Sequence, residues 1–364
     1  MKNNPPVLMI LTPGFPETES DSSCLPFVQS LVKAINKDFS FVKIIVLSFQ
    51  YPFTAKEYLW KSNLIIPFGG RGKGKLLRRL LWLKVWRKLK NINIENNVIG
   101  VFSLWLGECA LLGNRFGNKY GITHRCWIAG QDARASNKYV AKIDPDPKEL
   151  VAISDFVADE FFKNYLIRPL HIIPNGIEKE LFQQVSFERT IDVLGAGSLI
   201  SLKRYDRFIN CIDELRETLP NMYAVIGGKG PEDFLLRKSI IAKKLQNNLI
   251  LIGEIEHPDL LQMMQQAKVF LHPSSYEGFS MACLEALHAG CHVISFIKPM
   301  KYDIDHWHIV KSNEEMIEKT RDILLQPDIE YKSVMPYSIN DTAKSIIELY
   351  YDQNTLSIER NEGI

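Results

Sequence analysis

The segment His272-Pro-Ser-Ser-Tyr-Glu-Gly-Phe-Ser-Met-Ala-Cys-Leu-Glu-Ala-Leu-His-Ala-Gly-Cys-His-Val-Ile294 is the most informative in the chain. The apolar run Val269–His272 leads into it, and a second, His292–Phe296, closes it. Between them Ser280 has the chemistry of a helix N-cap and Gly290 that of the residue just past a helix end, so the pattern predicts a helix over Met281–Ala289. Two short apolar runs joined by a helix form a parallel β-α-β unit, because parallel strands need a long crossover. The helix is apolar on nearly every side and is expected to be buried.

The same alternation extends in both directions. Upstream, strands are predicted at Val7–Thr12, Val42–Ser48, Val98–Phe102, Arg125–Ile128, Leu150–Ile153 and His171–Ile173, with helices at Leu25–Asn36, Leu76–Lys90, Glu108–Lys119 and Asp155–Tyr165. The pattern then restarts at Ile191–Gly195, Met222–Ile226 and Leu249–Ile252, with helices near Tyr205–Thr218, Pro231–Leu245, Pro258–Ala267 and Asn313–Leu325. Such alternation implies parallel sheets covered on both faces. The chain therefore divides into a first domain, 1–174, and a second, 191–340, followed by a helix and tail, 341–364. Turn residues from Pro174-Asn175-Gly176 to Thr190 mark the seam.

Composition narrows the function. Lys and Arg total 44 against 42 Asp and Glu, a net charge of +2 over 364 residues, which argues against a dedicated nucleic-acid binder. Six cysteines lie without a Cys-x-x-Cys pair, so reduced, mostly buried thiols in a cytoplasmic protein are expected. No apolar run approaches the roughly 18 residues of a membrane span, and Met1–Pro13 reads as a first strand, not as a signal peptide.

Glu285 is the lone carboxylate of the predicted helix, and an unpaired buried carboxylate costs several kcal/mol, so it needs a partner. A pair of ligand hydroxyls would serve. Glu277 stands eight positions earlier in the preceding loop, and backbone N–H groups from Gly278 through Phe279 and Ser280 to Met281 would favour a phosphate. The loop and helix suit a sugar, a diphosphate and a ribose; a capped core helix with a salt-bridged Glu285 suits the same residues.

Glu277-x7-Glu285 resembles the Glu-x7-Glu signature of retaining glycosyltransferases of family 4, the glycosyl transferases group 1, which have the GT-B fold. Other blocks agree in order: Gly195–Ile209, Val225–Leu235, Leu150–Phe162, His171–Glu178 and Gly107–Arg134. The resemblance spans about 7 to 350. It implies an α/β protein of two doubly wound, Rossmann-like domains facing a cleft, the first binding acceptor and the second binding a UDP- or GDP-sugar, with no bound metal and no other cofactor. It further implies that Glu277 meets donor-sugar hydroxyls, Glu285 the ribose and Lys203 the diphosphate. Gly14 matches the turn that approaches the phosphates, Ser198 and Gly228 fall in donor-loop motifs, and Gly130, Asp132 and Arg134 fall in an acceptor-side motif. The terminal helix is expected to cross back to the first domain.

Three departures stand out. The family's diphosphate arginine is Ser198 here, its histidine before Gly-x-Asp is Ala129, and its Gly-Gly-x-x-Glu loop is replaced by Phe296–Trp307. Arg134, Arg204 and Arg125 are candidate substitutes for the missing cation. The departures also suit a degenerate module that binds a nucleotide sugar or glycan without turnover. Asp144-Pro-Asp146 is expected to be a solvated loop, His306 and His308 surface or acceptor-cleft residues, and Cys283 and Cys291 core residues.

Gly69–Lys90 carries nine Lys and Arg and no acid, with leucines, Trp82 and Trp86 interleaved. That stretch contributes +9, leaving −7 for the rest of the chain. It suits either an interfacial helix on an anionic membrane or a domain helix whose apolar face is core. The expected function is sugar transfer with retention of configuration to a glycan or lipid-linked acceptor in cell-surface polysaccharide or glycoconjugate synthesis. The expected location is the cytoplasm, peripheral to the inner face of the plasma membrane.

Overall fold

The computed structural model describes residues 5–22, 24–54, 56–183 and 187–351, so the expected tail beyond 351 and part of the seam lie outside the described residues. The chain divides into two compact units, one of Met1–Gly176 with Tyr337–Ile364, the other of Ile177–Pro336.

In chain order the first unit contains β1 (Pro6–Gly14), α1 (Pro26–Asp38), β2 (Lys43–Tyr51), β3 (Tyr58–Trp60), β4 (Asn63–Pro67), α2 (Lys75–Glu95), β5 (Asn97–Leu104) and α3 (Glu108–Tyr120). There follow β6 (His124–Ile128), α4 (Val140–Ile143), β7 (Leu150–Ala152), α5 (Asp155–Tyr165) and β8 (His171–Ile172). The sheet order is β3-β4-β2-β1-β5-β6-β7-β8, parallel throughout except for the β3–β4 pair. β1 is buried along nearly its whole length, as a central strand covered on both faces must be, which is why it reads as an unbroken apolar run.

The second unit contains β9 (Ile191–Ala196), α6 (Tyr205–Leu215), β10 (Ala224–Gly227), α7 (Asp233–Ala242), β11 (Leu249–Gly253), α8 (His257–Gln265) and β12 (Ala267–His272). It continues through α9 (Met281–His288), β13 (His292–Ser295), β14 (Trp307–Ile309) and α10 (Asn313–Leu325). Its sheet, β11-β10-β9-β12-β13-β14, is wholly parallel. α6 buries Tyr205, Phe208, Ile209, Ile212 and Leu215, the i, i+3, i+4, i+7 stripe of a helix lying on a sheet.

The last helix, α11 (Ile339–Glu348), belongs to the first unit. Asn340 donates to Asp38 Oδ2 at 2.6 Å, Thr342 to the Pro174 carbonyl at 2.9 Å and Tyr350 to the Val101 carbonyl at 3.0 Å. Gly100 makes room for Tyr350: a Cβ there would stand 2.2 Å from its ring.

α9 differs from the expectation of burial on nearly every side. Cys283, Leu284, Ala286 and Leu287 are buried, while Met281, Ala282, Glu285 and His288 are half-buried, because an outer-layer helix meets the sheet with one face. Asp144 and Asp146 are exposed loop residues, as expected, and they lead into a short 3₁₀ turn. Asp146 accepts from the Lys148 N–H at 2.8 Å and Glu149 returns the bond to the Asp146 N–H at 3.1 Å, a capping box on a short 3₁₀ turn. His308 is half-buried. It lies 3.0 Å from His292 Nδ1, and both His306 and His308 stack on the His292 ring. Cys283 and Cys291 are buried, as small core residues should be.

Candidate functional site

In an open α/β sheet, ligands bind beyond the carboxyl ends of the strands where strand order reverses. In the second unit the reversal lies between β9 and β12. The loops leaving these two strands carry Lys203 and Glu277, and the structure brings the two together: Lys203 Nζ lies 2.5 Å from Glu277 Oε2.

Local bonds hold that pairing. After β9 the chain makes a 3₁₀ turn over Ser201–Lys203, then enters α6 through Arg204 at φ +51°. Ser275, in the loop after β12, donates its N–H (3.0 Å) and its hydroxyl (3.2 Å) to the Leu202 carbonyl. One loop is thereby fastened to the other next to the ion pair. His272, buried at the end of β12, places Nε2 3.2 Å from Glu277 Oε2 and 3.1 Å from Ser274 Oγ. An ionised carboxylate only accepts, so Nε2 carries the proton.

Burial alone would raise the pKa of Glu277, but the His272 hydrogen bond and the Lys203 charge outweigh it and hold the carboxyl well below its ordinary range, at about 2. Burial lowers that of His272, with the Glu277 hydrogen bond acting the other way. The result is an anion presented beside a cation, each about one-fifth exposed (23% and 20%) and therefore reachable from solvent.

Beside the pair lies a cavity of about 230 Å³ formed by Gly197, Ser198, Gly228, Lys229, Glu254 and their neighbours at the ends of β9, β10 and β11. Gly228 is obligatory there: its φ is +144°, and a Cβ would stand 1.9 Å from the Gly197 carbonyl oxygen. Ser198 lines this cavity, and so does Lys229, a cation that no motif in the sequence singles out. Lys229 is ion-paired with Glu254. Arg204, one of the expected substitutes for the missing arginine, is instead forked onto Asp206 at 2.9 and 2.8 Å.

Gly278, Phe279 and Ser280 form a buried approach to α9. Phe279 stacks on Trp307 with ring centroids 5.9 Å apart, and Ser280 Oγ accepts from the Cys283 N–H at 3.3 Å as the expected cap. Glu285 has a protein partner: His257 Nε2, at the first turn of α8, lies 2.8 Å from Oε1. That hydrogen bond raises the imidazole above its ordinary value against the effect of burial. Neither histidine was foreseen, although the need of Glu285 for a partner was.

The first unit has its own reversal, between β1 and β5, and a cavity of about 380 Å³ lies there. Its walls include Gln50, Arg78, Trp105, Glu108, Asp132 and Tyr139. Arg78 Nε reaches Glu108 Oε1 at 2.9 Å, and Trp82 Nε1 donates to Glu108 Oε2 at 3.3 Å. Trp105 is held at φ +62°, a conformation costly for a bulky side chain and concentrated at functional sites. Asp132 is buried and accepts from the Ala129 N–H at 2.8 Å; burial drives its carboxyl up to about 7 despite the backbone bonds. Gly130 is buried inside that turn, whereas Arg134 is exposed on the surface and its carbonyl takes the Tyr165 hydroxyl. Gly14 is the last residue of β1, paired with Tyr51 beyond a break in register after Thr12, where the strand gives way to the following loop.

Residues 176–354, which include the whole of the second sheet, match the glycosyl transferases group 1 family. Over 126 residues the chain is 31% identical to one subunit of the human phosphatidylinositol N-acetylglucosaminyltransferase, covering 34% of this chain and 26% of that protein. Over 127 residues it is 30% identical to the UDP-N-acetylglucosamine–peptide N-acetylglucosaminyltransferase GtfA subunit of Streptococcus pneumoniae serotype 4, covering 35% and 25%. The matched stretches span about a quarter of these two relatives. The crystal structure of the pneumococcal O-GlcNAc transferase GtfA, in complex with UDP and GlcNAc, superposes with a TM-score of 0.58 over 99% of both chains at 13% identity. The fold is GT-B, with two parallel-sheet, Rossmann-like units, and relationship to the group 1 glycosyltransferases is carried by the second unit.

Proposed function

We propose that this protein transfers a sugar, with retention of configuration, from a nucleotide-sugar donor bound on the second unit to a glycan or lipid-linked acceptor bound on the first. The Lys203–Glu277 pair at the β9/β12 reversal carries the reading. A diphosphate arriving there draws Lys203 toward itself, and Glu277 is left with its charge to accept hydrogen bonds from sugar hydroxyls. A positioned ammonium stabilises the charge that builds on the leaving diphosphate as the glycosidic bond breaks. Lys229 provides the second cation that Ser198 does not. Glu285, oriented by His257, faces the ribose hydroxyls. The pneumococcal relative's complex favours a UDP-sugar, with N-acetylglucosamine the first sugar to test.

In the first unit, the 380 Å³ cavity offers an acceptor both an ion pair and, in Asp132, a carboxyl that titrates near neutrality. The alternative, a module that binds donor without turnover, is favoured by Ser198 and Ala129. A thermal-shift comparison of UDP-, GDP- and ADP-sugars identifies the donor, because a ligand that binds only the folded state raises its stability. Transfer or donor hydrolysis by purified protein then dismisses the binding-module reading. Full transfer by Glu277→Ala, or unchanged UDP affinity in Lys203→Ala, would overturn the site assignment.

A further inference from the structure

The helix α2 carries two apolar stripes. At about 100° per residue, Leu81, Val85, Leu89 and Ile92 fall on one side, and all four are buried in the core of the first unit. Leu76, Leu80 and Leu83 follow the i, i+4, i+7 spacing on roughly the opposite side and are 72%, 50% and 53% exposed. Ile94, also exposed, continues that line three turns further on. The tryptophans belong to the first stripe's surroundings: Trp82 bonds Glu108, and Trp86 packs edge-on against Phe116. The outward stripe is therefore made of leucines and not of the tryptophans that the sequence offered.

Cations border the outward stripe on both flanks, and Arg87 falls in its line between Leu83 and Ile94. Lys75, Arg79, Lys84, Arg87 and Lys90 are exposed and have no ion-pair partner among the described residues, whereas Arg78 and Lys88 are committed to Glu108 and Glu57. No helix among the described residues is long and apolar enough to cross a membrane, so this helix can meet a bilayer only along its side.

We propose that the outward face of α2 docks on an anionic lipid bilayer, with Leu76, Leu80 and Leu83 entering the boundary between headgroups and acyl chains. The charge pattern selects this occupant. A two-fold interface with a second copy of the chain would set the same cations against one another, with no acid in 69–90 to relieve them. A layer of anionic headgroups neutralises them while the leucines leave water. The first turn of α2 also supplies Arg78 to the 380 Å³ cavity from the helix's inward side, so docking holds that cavity near the lipid surface without turning it toward the lipid. Taken with the acceptor reading above, on which this step alone rests, the acceptor is drawn from the membrane.

The test is co-sedimentation of the full chain, without donor or acceptor, with phosphatidylcholine vesicles and with mixed phosphatidylcholine–phosphatidylglycerol vesicles. The wild type is expected to sediment with the mixed vesicles only, and less as salt is raised. Leu76→Ser/Leu80→Ser/Leu83→Ser is expected to stay in the supernatant with its unfolding midpoint and UDP affinity unchanged, since these side chains lie outside the core. Lys84→Gln/Arg87→Gln is expected to lower the partition coefficient by about fivefold per charge removed. Wild-type protein in the supernatant with both vesicle types overturns the proposal. So does equal sedimentation of the leucine variant, or a solution dimer that the leucine variant abolishes. None of these results bears on sugar transfer, which is read separately from UDP release.

Discussion

The acid dependence of stability should change when Glu277 is made neutral. Its carboxyl sits at about 2 in the folded protein against an ordinary 4.5. At about 1.36 kcal/mol per unit, the ionised form contributes about 3 kcal/mol at neutral pH. The folded value is the depressed one, so this stability is fully present above the ordinary value and is lost as pH falls through the folded one. The window runs from about pH 5 down to about pH 2, and roughly half of the contribution is gone by about pH 3. The pair is only about one-fifth exposed, so solvent screening removes little of it. Denaturant unfolding of wild type and Glu277→Gln, without ligand, measures the difference directly between about pH 6 and about pH 3. Only the change of that difference with pH is compared, which cancels any constant effect of the substitution. The gap should narrow by about 2 kcal/mol over this range. If wild type and variant lose stability in parallel, His272 and Lys203 do not hold Glu277 as the geometry requires.

Three further outcomes follow from the two sites. Glu285→Gln should bring the titration of His257, followed by NMR, down toward the ordinary histidine value, because the Glu285 hydrogen bond is what raises it. An unmoved His257 would break that pairing. Gly228→Ala should abolish UDP binding and lower stability by several kcal/mol in thermal unfolding, since neither the +144° φ nor the Gly197 carbonyl leaves room for a methyl. Asp132→Asn should gain stability relative to wild type, by up to a few kcal/mol, as pH rises from about 4 to about 7. Over that range the carboxyl ionises in the unfolded chain while burial keeps it protonated in the folded one, which costs the wild type stability, and a difference that stays flat with pH would refute its burial.

Much of the fold could be read from residue pattern. Asp155–Tyr165 and Asn313–Leu325 are helices over the very spans their periodicity predicts, because each has a serine cap and one apolar face. β3, β4 and β14 were missed. The first and last of these are three-residue sheet edges, and β4 stands next to an edge. In the site, Lys203 and Glu277 were each nominated by motif, but their contact is a product of topology, since β9 and β12 are neighbours only because strand order reverses there. His272 and His257 carried no signal of their own. What the sequence did contain was the demand: a carboxylate on a packed helix needs a donor, and the fold had to supply one from another element.

The same reasoning explains why α2 was ambiguous and why the ambiguity has a definite resolution. Two apolar stripes on opposite sides of one helix add up to a pattern that is apolar all round, and such a pattern cannot say which stripe is core. The core stripe is the one that β-sheet contact selects, and it takes the β-branched Val85 and Ile92 and brings the large rings alongside. The other stripe keeps the leucines that gained nothing from folding. Exposed leucines add nothing to the fold of the isolated chain and carry an aggregation hazard, and the cations beside them repel a second copy. The near-neutral balance of the whole chain thus hides a division of charge, +9 on 69–90 against −7 elsewhere, that a bilayer of anionic lipid would convert into orientation. If the protein transfers sugar as proposed, an orientation of this kind would let it meet its acceptor in two dimensions, with α2 set against the surface from which the acceptor comes.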